Sequence, residues 1–184
     1  MTNPAMLIIL TGKTASGKDT VVSQLLSRLP GFKKVLTSTS RPPRQGEQNG
    51  IDYLFLSKEQ FQQKIEKGDF IEYVEYGGNL YGTEKNQLKN SDLIWRIDPS
   101  RAGKIRELID FPILIIYLTV SDSVVLKRLQ ERGFSEESIE KRMSEDKKFW
   151  EEYKDKYDFV IENVPGKLDQ TVDKIIEIVE NCHS

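Results

Sequence analysis

The sequence predicts an α/β fold in which a parallel sheet is covered by helices on both faces. Two observations carry this. Short continuous apolar runs, Met6–Leu10 and Ile113–Leu118, have the composition of strands buried on both sides rather than the alternation of a half-exposed sheet. Between and after them lie segments with helical spacing of apolar residues, so strands alternate with helices, the pattern of parallel crossover units.

Taken in order, Met6–Leu10 is a strand, and Thr20–Leu29 a helix with Val21, Val22, Leu25, Leu26 and Leu29 on one face. Lys33–Thr37 reads as a short strand. Ser40–Gly50, rich in Pro, Gly and Arg, is irregular. Ile51–Leu56 and Phe70–Tyr76 alternate like strands around a helix at Lys58–Glu66, and a turn at Gly77–Asn79 makes Phe70–Tyr81 a hairpin. The alternation then resumes with strand Leu93–Ile97, helix Arg101–Ile109, strand Ile113–Leu118, helices Ser123–Glu131 and Ser135–Tyr153, strand Phe159–Glu162 and helix Leu168–Val179. The β-rich block at 37–84 interrupts the crossover pattern and reads as an inserted subdomain. The expected division is a core at 1–36, 85–122 and 158–184, the insertion at 37–84, and a helical lid at 123–157.

Composition narrows the function. With 27 Lys and Arg against 29 Asp and Glu, the net charge is −2, without the basic excess of a nucleic-acid-binding module. Cys182 is the single cysteine, so no intrachain disulfide forms. Met1–Pro4 lacks the basic start of a signal peptide. The longest apolar run, Phe111–Val120, is far short of the ~20 residues a membrane span requires. A cytoplasmic protein acting on small molecules is expected.

Gly12-Lys13-Thr14-Ala15-Ser16-Gly17-Lys18 fits the phosphate-binding pattern G-x-x-x-x-G-K, with an apolar strand before it and a helix after it. Glycines let the backbone approach phosphate oxygens, and the loop N–H groups with the helix N-terminus form an anion cradle. Lys18 would reach the β- and γ-phosphates of ATP, with Gly12 to Thr20 as the ATP-binding segment. Asp19 stands where such loops carry the Ser or Thr that binds Mg²⁺, and Thr20 follows it. Asp19 is therefore the candidate ligand for the Mg²⁺ that accompanies ATP.

Thr37-Ser-Thr-Ser-Arg41-Pro-Pro-Arg44-Gln-Gly46-Glu-Gln-Asn-Gly50-Ile-Asp52-Tyr53 resembles the acceptor loop of the guanylate kinase family. Paired arginines suit a phosphate, because each guanidinium grips oxygens in a planar fork. The resemblance continues in Phe70-Ile-Glu72, in Gly78-Asn-Leu-Tyr81-Gly-Thr83, in Ile97-Asp98, and in a lid segment with Lys127-Arg128-Leu129, Arg132-Gly133 and Ser135–Arg142. It implies a three-layer P-loop kinase fold with a GMP-binding subdomain and a lid, transferring the γ-phosphoryl group of ATP to GMP or dGMP. It further implies that Arg41, Arg44, Tyr53 and Tyr81 hold the acceptor phosphate. Glu72 and Asp98 would accept hydrogen bonds from guanine, with Thr37 and Thr83 at the base edge. Arg128, Arg132 and Arg142 would act with Lys18, Arg41 and Arg44 on the transferring charge. Asn163 matches an Asn near the family's last strand.

Arg96 departs from that pattern, replacing an acid of the family's L-D-I-D strand. The expectation is a compensated pair: Asp19 supplies the carboxylate while Arg96 pairs with Asp98 or a phosphate. Two other readings remain at this point. One is a kinase for another mononucleotide. The other is a non-catalytic guanylate-kinase-like domain, a class that tends to lose the P-loop lysine present here as Lys18 and to sit beside other modules, for which 184 residues leave no room.

Overall fold

The computed structural model describes residues 5–76, 78–88, 91–110 and 112–183. The expectations that touch Met1–Pro4, Gly77 and Phe111 lie outside them. Five strands, β1 (Leu7–Gly12), β2 (Lys33–Lys34), β7 (Leu93–Arg96), β8 (Ile113–Thr119) and β9 (Phe159–Glu162), form a parallel sheet in the order β2-β7-β1-β8-β9. The chain between β2 and β7 builds a second sheet from β3 (Ser38–Thr39), β4 (Leu54–Phe55), β5 (Phe70–Tyr76) and β6 (Asn79–Glu84), in the order β4-β3-β6-β5. Among the described residues six α-helices complete the fold: α1 (Lys18–Arg28), α2 (Lys58–Glu66), α3 (Pro99–Ala102), α4 (Asp122–Glu131), α5 (Glu136–Tyr153) and α6 (Leu168–His183).

The uninterrupted apolar character of β1 follows from its central position. Ile8 and Leu10 point into one core with Val21, Val22 and Leu25 of α1 and Val172, Ile175 and Val179 of α6. Leu7 and Ile9 point into the opposite core with Trp95, Tyr117, Ile105, Tyr153 and Tyr157. Successive side chains of a strand alternate between faces, so only a run without polar residues can feed both. Tyr117 stacks on Tyr157 with ring centroids 4.8 Å apart, closing the second core beneath α5. A smaller cluster of Val120, Val125, Leu129 and Ile139 joins α4 to the start of α5. In the second sheet, Phe61 of α2 stacks on Phe70 at 4.3 Å.

Four segments differ from the expectation, each for a local reason. The strand expected at Lys33–Thr37 divides, because the chain leaves the parallel sheet after Lys34 and enters the second sheet at Ser38. The strand expected at Ile51–Leu56 shortens to Leu54–Phe55, since Asp52 folds back to accept a hydrogen bond from the Gln48 N–H at 2.8 Å. The helix expected at Arg101–Ile109 is a single turn, Pro99–Ala102, followed by a 3-10 turn at Ile105–Glu107. The Asp98 cap and Pro99 at the first helical position start it early. Finally, α6 runs past Val179 to His183.

Candidate active site

The carboxyl ends of β1 and β7 open onto a cleft of ≈ 440 Å³ roofed by α5 and faced by the second sheet. Its walls include Thr14 from the loop after β1, Lys18 and Asp19 at the start of α1, Arg96 at the end of β7, Asp98 at the cap of α3, Thr37, Tyr53 and Tyr81 from the inserted block, and Arg142 and Asp146 from α5. Residues far apart in sequence meet here because a parallel sheet delivers all its strand ends to one edge.

The loop after β1 is shaped by close backbone approach. Gly12 has φ +137°, and a Cβ there would lie 2.1 Å from the Leu118 carbonyl oxygen of the adjacent strand. Gly17, with φ +89°, sits at the N-cap of α1, so the helix starts at Lys18, two residues before the expected start at Thr20. Side chains from α4, α5 and the segment after β9 hold the loop. Asn163 donates to the Ser16 carbonyl at 2.8 Å and is itself fixed by the Thr171 hydroxyl at 3.0 Å. Arg128 donates to the Ala15 carbonyl at 2.7 Å. Lys13 pairs with Asp122. Asp146 of α5 accepts from the Thr14 N–H at 2.8 Å and from its hydroxyl at 3.1 Å.

Lys18 folds back across the loop, donating to the Gly12 and Lys13 carbonyls at 2.8 Å each. Burial, reinforced by the neighbouring Arg96 charge, lowers its pKa to about 8 against the pull of Asp146, Asp19 and Asp98. Burial raises the Asp146 carboxyl above its ordinary value, against the opposing hydrogen bonds from Thr14 and the Lys18 and Lys13 charges.

Asp19 and Arg96 meet directly, with Arg96 Nε 2.7 Å from a carboxylate oxygen of Asp19. The expected partner for Arg96 was Asp98 or a phosphate. Asp98 instead pairs with Arg101, whose Nη1 also donates to both oxygens of Glu72 at 3.0 Å. Arg101 is three residues past Asp98, and the cap that begins α3 turns it back over that carboxylate. Burial favours the neutral forms of both partners, but their mutual attraction prevails: Asp98 is held below its usual range and Arg101 above its own.

In the acceptor loop, Arg41 forks onto Glu47 with two 2.9 Å hydrogen bonds and lies over the Tyr53 ring at 5.5 Å. Arg44 is exposed, and its backbone N–H donates to the same Glu47 at 2.7 Å. Tyr53 and Tyr81 meet edge to face at 6.4 Å. Thr83 is wholly buried, and its hydroxyl finds no partner among the described residues. Gly82 explains how Glu72 is presented: a Cβ on Gly82 would come within 2.9 Å of the Glu72 carbonyl, so only glycine lets β5 pack this close at its bulge.

The structure brings Thr14, Lys18, Asp19, Thr37, Tyr53, Tyr81, Asp98 and Arg142 to one cleft. Arg128 and Arg132 face a separate hollow on the outer side of the loop, with Gly17, Thr20 and Asn163. Arg142 lies over the Phe134 ring at 4.6 Å on the cleft side, so the three arginines do not converge here. Sequence reasoning missed Arg101 and Asp146. Arg101 carried a faint signal, since Asp98-Pro99 announces a helix start that places it one turn on. Asp146, inside a charged helix, carried none.

A Gly-rich loop at the carboxyl edge of a parallel sheet, opposite a smaller inserted sheet and the arginine-bearing helices α4 and α5, has the arrangement of the P-loop nucleoside monophosphate kinases. Comparison with known proteins is specific. The family model for guanylate kinase matches residues 5–182. The guanylate kinase of Fusobacterium nucleatum is 35% identical over 181 residues, covering 95% of this chain and 96% of that protein. The guanylate kinase of Halalkalibacterium halodurans is 37% identical over 185 residues, covering 96% and 89%. The crystal structure of guanylate kinase from Anaplasma phagocytophilum superposes with a TM-score of 0.73 over 100% of this chain and 88% of that one, at 24% identity, a likeness of fold. This chain belongs to the guanylate kinase family.

Proposed function

We propose that the protein transfers the γ-phosphoryl group of ATP to GMP or dGMP, yielding ADP and GDP or dGDP. One observation carries the reading: a single cleft joins the phosphate loop and Lys18 to the acceptor-side residues Thr37, Tyr53, Tyr81 and Asp98. Lys18 neutralises the β- and γ-phosphates, and the loop N–H groups from Lys13 to Thr20 cradle them. Arg41, Arg44, Tyr53 and Tyr81 hold the acceptor phosphate, and Arg41 exchanges its Glu47 partner for phosphate oxygens. Glu72 and Asp98 read guanine, with Thr37 and Thr83 at the base edge. Phosphoryl transfer spreads charge over equatorial oxygens, and Arg128, Arg132 and Arg142 stabilise it once the lid at 123–157 closes over the subdomain at 37–84.

Magnesium supplies charge neutralisation between the phosphates. No three His, Cys, Asp or Glu side chains among the described residues gather into a metal site. Asp19, adjoining Lys18, is the residue that would reach the ion, and Arg96 holds that carboxylate in place. Among the described residues no helix is long and apolar enough to cross a membrane, in keeping with action on soluble nucleotides in the cytoplasm.

A coupled assay with ATP and each of GMP, dGMP, AMP, UMP and CMP tests the reading, with turnover expected for the two guanine nucleotides. Lys18→Ala should stay folded and lose activity by several orders of magnitude. Preference for a pyrimidine or adenine acceptor, or wild-type turnover by folded Lys18→Ala, overturns it.

A further inference from the structure

The acids read above as the guanine acceptors already have an occupant. Arg101 Nη1 sits between the two Glu72 oxygens at 3.0 Å from each, while Nε bonds Asp98. The Arg101 backbone N–H bonds Asp98 at 3.1 Å and the Ser100 hydroxyl bonds it at 2.6 Å, so the Asp98 end is fixed. Arg101 lines the cleft and its side chain is 24% exposed, against 11% for Glu72. The carboxylate of Glu72 is thus nearly dry, and the space in front of it is filled by a cation from its own chain.

A guanidinium edge offers coplanar N–H donors, as the N1–H and 2-amino edge of guanine does. Adenine has no such pair. Glu72 and Asp98 can be satisfied by guanine or by Arg101, and the in-plane approach to Glu72 admits one of them at a time. We propose that Arg101 is an internal stand-in for guanine and determines acceptor specificity. The proposal rests on the reading of Glu72 and Asp98 as the base site.

Two consequences follow from the geometry. The acceptor binds only molecules in which Arg101 has released Glu72, so its apparent affinity is reduced by that open fraction. A site also rejects the wrong base chiefly because its buried acceptors are then left without donors. An adenine nucleotide seated short of that in-plane position leaves Arg101 on Glu72 and avoids the penalty, so discrimination is weaker than an open site would give. A purely architectural ion pair makes the opposite prediction. Glu72 belongs to the second sheet and Asp98 caps α3 just past the end of β7 in the first, so loss of a mere strap loosens the site and weakens the acceptor.

The test is GMP and AMP titration and steady-state kinetics on the full chain carrying Arg101→Ala or Arg101→Lys, with thermal melting to follow the fold. For Arg101→Ala the Kd and KM of GMP should fall by about tenfold or more, the response of a site open less than a tenth of the time. The GMP-over-AMP preference should rise by a similar factor, and the KM for ATP should stay unchanged. Arg101→Lys, which keeps the charge without the planar fork, should lie between. Unchanged or weaker GMP binding in folded Arg101→Ala overturns the proposal while leaving the proposed reaction standing. Absence of GMP binding in both wild type and variant overturns the base-site reading and this proposal together. Should Arg101→Ala fail to fold, Arg101→Lys and a GMP-bound wild-type structure decide: persistence of the Arg101–Glu72 contact beside bound guanine refutes the stand-in.

Discussion

Lys18 gives the site a pH dependence that can be worked out in advance. Its ammonium is buried and faces the Arg96 charge, which together lower its pKa to about 8 from the ordinary 10.5. A bound triphosphate favours the charged form and pulls the pKa back up. Between the two values, nucleotide binding therefore takes up a proton, and affinity falls as pH rises. The loss is negligible at pH 7 and reaches about tenfold at pH 9, near 1.4 kcal/mol, one pH unit beyond the free value. The stability consequence has the opposite sign. A lysine whose folded pKa is depressed costs stability below about 8, and that cost lifts as pH rises toward 10.5. Calorimetric titration of ATP from pH 7 to 9.5 in buffers of different ionisation enthalpy measures both the affinity and the proton uptake. Arg96→Gln should move the break to higher pH by removing the second-largest cause of the shift, and Lys18→Ala should abolish it. Affinity that stays flat to pH 9.5, or a break that ignores Arg96→Gln, refutes the reasoning.

Three further outcomes are expected. Arg41→Ala and Arg44→Ala should raise the KM for GMP by about tenfold or more, the effect of losing a charge-assisted hydrogen bond of about 1.5 kcal/mol or above. Equal effects on the KM for ATP would count against assigning this loop to the acceptor. Glu72→Gln should lower the GMP-over-AMP preference at least about tenfold, near 1.4 kcal/mol, and unchanged discrimination in paired assays would remove Glu72 from base recognition. Arg96→Asp should impair activity by crowding acids at the phosphates, whereas Arg96→Asp with Asp19→Ser should recover much of it with a lower magnesium requirement than Arg96→Asp alone. Simple additivity in a magnesium titration of the four proteins would dissolve the Asp19–Arg96 pair as a functional unit.

The architecture was legible wherever burial imposed a period. The runs at Met6–Leu10 and Ile113–Leu118 had to be central parallel strands because no half-exposed strand lacks polar residues. Misplaced boundaries arose where the chain changes sheets or is started by a cap. Lys33–Thr37 looks continuous, but only Lys33–Lys34 is strand before the chain crosses to the second sheet at Ser38, a tertiary fact without a periodic signature. In the site, the phosphate loop was readable because glycine spacing reflects backbone approach, which Gly12 against Leu118 now illustrates. Arg101 was legible only as a residue in the first turn of a capped helix, because nothing in the sequence marks what it touches. Its partners, Glu72 and Asp98, are brought together by topology rather than by spacing. The pairing of Arg96 with Asp19 rather than with Asp98 has the same origin, since Asp98 is already claimed by its own helix start.

In the reaction proposed above, the contact between Thr14 and Asp146 couples α5 to the donor nucleotide. Asp146 occupies a loop N–H with a carboxylate supplied by α5, so the anion cradle contains a tethered anion before any phosphate arrives. One N–H cannot serve both a phosphate oxygen and Asp146, and the two compete for a single donor. By reciprocity, whatever draws α5 away from the loop tightens donor binding, and a bound donor frees α5 by the same factor. The helix that carries Arg142 is thereby told, through one hydrogen bond, whether the phosphate loop is loaded.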